Sequence, residues 1–552
     1  MRATGPGSAF WRGVAWLQEG RRALGFALVT AILAGSARFL TGLDRVVADP
    51  FHEGEFFGPL AAIVFPGAGF TPLTIHGAMD VVPGLLAWHI DPANLIVNTR
   101  ILTGALSLAA AILMVLVAAV LARSRRGTEG YVFLLAVAGI GGRFLVGIKD
   151  LVLLGAILAF LLGQERRGRV PDALVQVAYG VLVSLGLFWS AERGLGGTVA
   201  LGIATLVLAT RAPRYLLSLA VFVVTTLGIS ALGGFLSLRA YVGNLEVLVR
   251  TSAQWRYPPH VPTAHLVAIA TLALGAGALL VVLAARDPRG DRARLANAVL
   301  LVLLTAAYYR MSTNRADWGH VDQGMAILFV DLTFWFGVRG PEARGRLDRW
   351  VITFLALLLA VAGIQSGRMH VDFLALWLVY LAGCTWGGKA EVLRTLVPPV
   401  VAGAAAAAVA LVVLEAATGG YDWVRVVSSG VPRDEDLAPA GVRFAAGELS
   451  RAEVPCVFDM ANHGIVNLLV RKPSCSRFSY PVYADRSYEG ELIQALRDRA
   501  PAAVVYSTTA DSYAIDARPM NARFPALDAE LRTGWPVVRC GDGYCVRVRT
   551  DR

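Results

Sequence analysis

The placement of the arginines constrains this chain more than any other feature. Apolar stretches lie at 23–43, 96–122, 130–143, 147–163, 173–190, 196–211, 214–236, 263–285, 295–309, 324–338, 350–366, 370–388 and 395–417. If the N-terminus is cytoplasmic, the loops on its side carry Arg123, Arg125 and Arg126; Arg166, Arg167 and Arg169; Arg211 and Arg214; Arg286, Arg289, Arg292 and Arg294; Arg339, Arg344, Arg346 and Arg349; and Lys389 with Arg394. Every one of those loops is basic, as the positive-inside bias requires, and the opposite orientation would break the rule at each. The pattern predicts an α-helical polytopic membrane protein of about 13 transmembrane helices, N-in and C-out. It places the acidic segment Phe51-His52-Glu53-Gly54-Glu55 and the C-terminal tail away from the cytoplasm.

Composition supports a lipid bilayer as the chain's solvent. Of the 552 residues 56% are hydrophobic and 16% charged, where a soluble domain carries about 25% charged residues. The formal charge of +11 is no sign of nucleic acid, because the arginines sit between apolar spans. The pair 130–143 and 147–163 is short enough to be a re-entrant hairpin, which leaves later sidedness unchanged. Ala34 to Ala37 after the first apolar run resembles a signal cleavage site, but the run resumes at Phe39-Leu40, which favours an uncleaved helix.

Two domains follow from this pattern. Residues 1–418 form the membrane domain, with a first extracytoplasmic loop at 44–94. Residues 419–552 read as a small extracytoplasmic α/β domain. In it Val454–Asp459 and Ala502–Ser507 look like buried strands, Glu491–Arg499 like an amphipathic helix, and Trp535–Cys540 with Tyr544–Arg549 like a closing hairpin. Cys456, Cys475, Cys540 and Cys545 lie in this tail, where an oxidising compartment favours disulfides. Of the three pairings, Cys456–Cys475 with Cys540–Cys545 is preferred, the second clipping a hairpin at Gly541-Asp542-Gly543. A zinc site competes, but its usual CxxC spacing is absent. Cys384 lies in a span and reads as a packing residue.

The candidate chemistry is outside. Glu53 and Glu55, two apart, could face one site in an extended or turn segment. There either could serve as general base, or both could hold a divalent cation such as Mg or Mn through oxygen ligands. A solvated acidic loop is the bland alternative. The segment Tyr308–Gln323 reads as a third outside loop and carries Arg310, Arg315, Asp317 and His320; arginine forks fit phosphate. Arg143 and Lys149 at outside ends of spans are weaker phosphate candidates, with snorkelling as the alternative. Tyr241, Trp255, Tyr257 and Trp318 fit an interfacial aromatic belt or sugar stacking. No P-loop, GxSxG or HExxH occurs, so nothing points to ATP hydrolysis or to a serine or zinc hydrolase.

After the carboxylates come Pro66-Gly67, then Phe70 through His76-Gly77 to Asp80, then Gly84 to Trp88, then Asn98-Thr99-Arg100 opening the next span. This order resembles the first periplasmic loop of the glycosyltransferase C (GT-C) superfamily. The resemblance is close over roughly residues 20–110. It departs from the commonest Asp-Glu motif by reading His52-Glu53-Gly54-Glu55. It implies a bacterial inner-membrane enzyme that moves a sugar from a polyprenyl-phosphate donor to a glycan or glycolipid acceptor. Glu55, or else Glu53, would be the base of an inverting displacement, and His76 would join the substrate-binding residues. A lipid-diphosphate-linked glycan ligase or polymerase is the alternative. A transporter or flippase ranks last, since the charges cluster at outside ends and no inverted repeat is visible.

Overall fold

The computed structural model describes residues 47–122, 146–164, 169–251, 292–314, 430–507 and 520–550, with a few isolated positions besides. The apolar stretches at 23–43, 130–143, 263–285, 324–338, 350–366, 370–388 and 395–417 lie outside these described segments. So do Arg143, Arg315, Asp317, Trp255, Tyr257, Trp318 and Cys384.

The first described part is short and irregular. Helix α1, Gly54–Val64, follows a turn at Asp49, whose carboxylate accepts the backbone N–H groups of Phe51 and His52, each at 3.0 Å. Pro59 sits inside α1 and removes one rung of its ladder, the bond to the carbonyl of Glu55. Helix α2, Val82–Ile90, starts with Pro83 in its first turn, where the missing N–H costs nothing.

The long helices follow: α3 (Leu95–Ala122), α4 (Leu151–Leu162), α5 (Arg169–Trp189), α6 (Ala191–Ala209), α7 (Arg214–Ala231), α8 (Leu238–Thr251) and α9 (Arg292–Asn314). Segments Leu95–Leu121, Val170–Trp189, Ala191–Ala209 and Arg214–Ala231 are long and apolar enough to cross a membrane. Neighbours pack directly, α5 against α4, α6 and α7, and α6 against α9. At one end of this bundle Arg214 pairs with Asp172 at 2.8 Å and donates to the carbonyl of Gly163. The other end carries Lys149, Trp189 and Glu192. Helix α9 runs on to Asn314, so Tyr308 and Arg310 stand on a helix, a correction to the expected loop over Tyr308–Gln323. The apolar run that ends near 309 is followed by Met311, Ser312 and Thr313 without glycine or proline, so nothing stops the helix there.

The tail contains α10 (Asp434–Leu437), α11 (Ala440–Arg451), α12 (Ile465–Val470), α13 (Glu489–Arg499), β1 (Ala503–Ser507), α14 (Met520–Arg523), α15 (Pro525–Gly534), β2 (Val537–Gly541) and β3 (Tyr544–Val548). In α11 the buried residues Val442, Ala445, Ala446 and Leu449 recur at helical spacing and form one face. Helix α13 buries Leu492 and Leu496, with Glu489 and Glu491 at its start and Arg497 and Arg499 at its end, which complements the helix dipole. The sheet is antiparallel throughout, in the order β1-β3-β2. Asp542 and Gly543, both with positive φ (50° and 81°), turn the hairpin, a pair suited to a two-residue turn of this hand.

Both disulfides, Cys456–Cys475 and Cys540–Cys545, are present, the second joining directly paired residues of β2 and β3. Val454–Asp459 is not a strand. It makes isolated parallel bridges, Val457 with Ser474 and Asp459 with Val505. Pro455 lacks a ladder donor, and the Asp459 carboxylate takes the N–H groups of Ala461 and His463, each at 2.7 Å, which turns the chain away.

The first loop and the tail share one core. Phe57, Leu60, Leu95 and Ile96 pack in the same cluster as Val442, Leu449, Val466 and Val505. Each such side chain contributes about 1.5–3 kcal/mol when fully buried. Asp434 accepts the amides of Leu95 (3.2 Å) and Ile96 (2.8 Å), capping α3 with a carboxylate from the tail. Where α1 meets the start of α12 the contact is backbone on backbone. A Cβ on Gly464 would lie 2.3 Å from the carbonyl oxygen of Gly54, and one on Gly54 would lie 2.8 Å from the nitrogen of Gly464.

Candidate functional site

Because α1 begins at Gly54, Glu53 and Glu55 do not share a site. Two residues on a helix diverge by about 200°. Glu53 turns toward α3, where Arg100 grips it through Nε to Oε1 at 2.9 Å and NH2 to Oε2 at 2.8 Å. Glu53 Oε2 also accepts the N–H of Asp49 at 3.2 Å. Glu53 is thus a structural clamp between the start of α1 and α3.

Glu55 turns the other way, into a small cavity whose lining includes His76, Asp80, Ser479, Tyr480 and Tyr483. The cavity lies between the first loop and the tail. His76 arrives from the loop before α2. Gly77 beside it has φ 98°, and a Cβ there would lie 2.8 Å from the carbonyls of Phe188 and Trp189. The His76 carbonyl accepts the N–H of Ala191 at 2.9 Å, which pins the imidazole to the α5–α6 corner.

From Glu55 a chain of alternating charge runs inward. His76 Nε2 lies 3.6 Å from Glu55 Oε2, and His76 Nδ1 lies 3.4 Å from Glu192 Oε1. Lys149 Nζ is 3.3 Å from Glu192 Oε2 and 3.4 Å from His76 Nδ1. Next to Lys149 in the chain, Asp150 accepts from the Tyr308 hydroxyl at 2.8 Å and lies 3.2 Å from Arg193 Nε. The His76 amide donates to Asp80 Oδ2 at 2.8 Å, and Asp80 Oδ1 is buried with no hydrogen-bond partner among the described residues. Over Glu55 sits the tail, with the Tyr483 hydroxyl donating to Glu55 Oε1.

The charges settle one another. Burial alone would raise Glu55, but His76, the Tyr483 hydroxyl and Lys149 outweigh it, and the carboxyl falls below its ordinary range. Burial and Lys149 push the His76 imidazolium down, while Asp80, Glu192 and Glu55 push it up, to about 10. Burial raises Asp80 to about 6 against the pull of His76. Near neutral pH the site therefore holds an ionised Glu55 against a protonated His76.

Glu192 is not legible in the sequence as a site residue, because the apolar run begins after it, at 196. Helix α6 starts earlier, at Ala191, where Ser190 Oγ accepts the N–H of Arg193 at 3.3 Å. A serine ahead of Glu192 was the available signal, a helix N-cap. Tyr483 carried no local signal at all. Arg310 is exposed on α9 and His320 half-buried, and neither lines the cavity at Glu55.

The donor set does not suit a divalent cation. Both oxygens of Glu53 are taken by Arg100, and those of Glu55 face Tyr483 and His76. Among the described residues no three potential metal ligands gather.

No family model and no curated protein matches the chain. Two crystal structures of ArnT from Cupriavidus metallidurans are similar to it. The structure with undecaprenyl phosphate bound is 14% identical, with a TM-score of 0.44 over 96% of this chain and 97% of that one. The apo structure is 14% identical, with a TM-score of 0.45 over 95% and 96%. At this identity and TM-score the likeness assigns neither residues nor an activity, which rest on the chain's own side chains.

Proposed function

We propose that this protein is an integral-membrane glycosyltransferase that takes a sugar from a polyprenyl-phosphate donor and passes it to a glycan or glycolipid acceptor outside the cytoplasm. The observation that carries this reading is Glu55, a carboxylate lining a cavity between the first loop and the tail, with His76 Nε2 3.6 Å from its Oε2. The site sits at the bundle end opposite the Arg214–Asp172 pair, which fits chemistry on the extracytoplasmic face.

In the reaction an acceptor hydroxyl gives its proton to Glu55 as its oxygen attacks the anomeric carbon. The bond from that carbon to the phosphate oxygen breaks, the electron pair leaves with the lipid phosphate, and the anomeric centre inverts. A carboxylate of lowered pKa is always ready to accept but is a weak base, so the proton moves only as the new bond makes the hydroxyl acidic. The buried Asp80 Oδ1 is placed to take a substrate hydroxyl, which would supply its missing partner. The leaving phosphate would draw on His76 and Lys149, with Arg143 and Arg315 as further candidates from the sequence.

The test is turnover by the full chain in proteoliposomes given a panel of polyprenyl-phosphate hexoses and pentoses, with products weighed by mass spectrometry. Transfer of a single residue, lost on Glu55→Gln while donor binding persists, supports the reading. Weaker donor binding is expected for Arg315→Ala. Full activity in both variants sinks it, and transfer of a glycan block would favour a ligase.

A further inference from the structure

The tail does more than cover the cavity. The segment 476–483 follows Cys475, which is tied to Cys456 by the disulfide and donates its N–H to the carbonyl of Val457 at 2.9 Å. The segment is then fastened to the first loop, with Leu73 N–H donating to the carbonyl of Arg477 at 3.1 Å. The Tyr480 hydroxyl donates to the carbonyl of Phe51 at 2.9 Å and accepts from the Gly464 amide at 3.2 Å. Val482 N–H donates to Asn462 Oδ1 at 2.9 Å. Every one of these bonds fixes where Tyr483 stands, and its hydroxyl meets Glu55 Oε1, leaving Oε2 toward His76.

We propose that Tyr483 is a positioning residue that holds the Glu55 carboxylate in the cavity, so that the site is complete only when the C-terminal domain is docked. This rests on Glu55 being the base. The residue does not touch the reacting atoms. It fixes the carboxylate rotamer and is one of the three groups, with His76 and Lys149, whose effect opposes burial. The other charged and titratable groups facing Glu55 are His76 and Asp80 from the first loop, Lys149 from the start of α4, Glu192 behind His76, and Tyr480 from the tail. Burial and the Glu55 charge raise the Tyr483 phenol well above its ordinary range, so it remains a donor at every working pH.

The experiment reads Glu55 directly, without a substrate. A carbodiimide modifies protonated carboxyls, and peptide mass spectrometry follows modification of Glu55 against pH in the full chain in nanodiscs. Tyr483→Phe should move the midpoint up by about one pH unit, the worth of a lost hydrogen bond to a charged group. Tyr506→Phe on β1 should leave it in place. A midpoint in Tyr483→Phe that matches the wild type overturns the proposal. Should that variant not fold, Gly58→Ala serves instead, because its Cβ would lie 2.6 Å from Ser479 Cβ and push the segment away with its phenol intact. The same upward shift is expected there, and none would overturn the proposal. Turnover separates this idea from the reading beneath it. Activity in Glu55→Gln removes the base assignment whatever Tyr483 does. A dead Glu55→Gln with an unshifted Tyr483→Phe removes only the positioning role.

Discussion

Glu53 and Arg100 face each other through two parallel hydrogen bonds, at 2.9 and 2.8 Å, and this pair separates two neighbouring carboxylates into different duties. Glu53 fastens the start of α1 to α3, and Glu55 is left to the cavity. Glu53→Gln should cost about 2 kcal/mol of stability for a largely buried clamp of this kind, read as a lower thermal midpoint in detergent. Its turnover should fall less than about tenfold, whereas Glu55→Gln should lose about a hundredfold or more, the span of general-base catalysis. Equal losses in the two variants would contradict this division.

His76 carries a raised pKa, and the sign follows directly. A histidine raised from 6.5 to about 10 adds stability that is complete below 6.5 and lost as pH climbs through 10. The thermal midpoint should therefore decline across that window. His76→Gln should be less stable at pH 6.5 and decline less above it, and a slope unchanged by the substitution would count against the charge chain.

In the tail, burial shifts Asp459 and His463 in opposite directions. Burial raises Asp459 from 3.8 to about 7, so its contribution is complete below 3.8 and lost as pH rises through 7. Burial lowers His463 from 6.5 to about 4, so its contribution is complete above 6.5 and lost as pH falls through 4. The two slopes oppose each other and should leave the wild type nearly flat in between. Asp459→Asn should expose a fall in stability toward acid, and His463→Gln a fall toward neutrality, both measurable by thermal denaturation at pH 4 to 7.5.

The two disulfides differ in reach. Cys456–Cys475 spans 19 residues and Cys540–Cys545 only 5, which corresponds to roughly 3 and roughly 2 kcal/mol of chain entropy. Replacing Cys456 and Cys475 together by serine should also lower turnover, since the bridge anchors the segment that carries Tyr483. Replacing Cys540 and Cys545 should lower the melting point with activity retained. An active Cys456/Cys475 double variant would show that the anchor is dispensable.

Chelation tests the carboxylates from another side. With their oxygens occupied by Arg100, His76 and Tyr483, Glu53 and Glu55 should hold no catalytic metal. Turnover should survive excess EDTA unchanged, and restoration by added Mg or Mn after a loss would reverse that conclusion.

What could be read from the chain follows from how local each signal is. Helices α3 to α7 announce themselves by apolar length, and the β2–β3 hairpin by Asp542-Gly543 between cysteines. Amphipathic α13 is visible in Leu492 and Leu496 with acids before and bases after. The failures concern continuity and distance. A helix without a stop signal ran past Tyr308, and a run with good strand residues was broken by Pro455 and the Asp459 side chain. Two carboxylates expected to converge were parted by a helix start at Gly54. Glu192 and Tyr483 belong to the site only through packing, from positions far along the chain from Glu55, and no periodicity encodes that meeting.

The Asp434 cap on α3 has a consequence for how the protein is made. The carboxylate that closes the start of α3 lies more than three hundred residues downstream of it, at a separation of 338 from Ile96. During synthesis α3 enters the membrane with its first amides facing water or lipid headgroups, long before their partner has been translated. The last lock on this early helix is thus supplied only once the chain has been made past residue 434. Until then the start of α3 must hold itself in place without its cap.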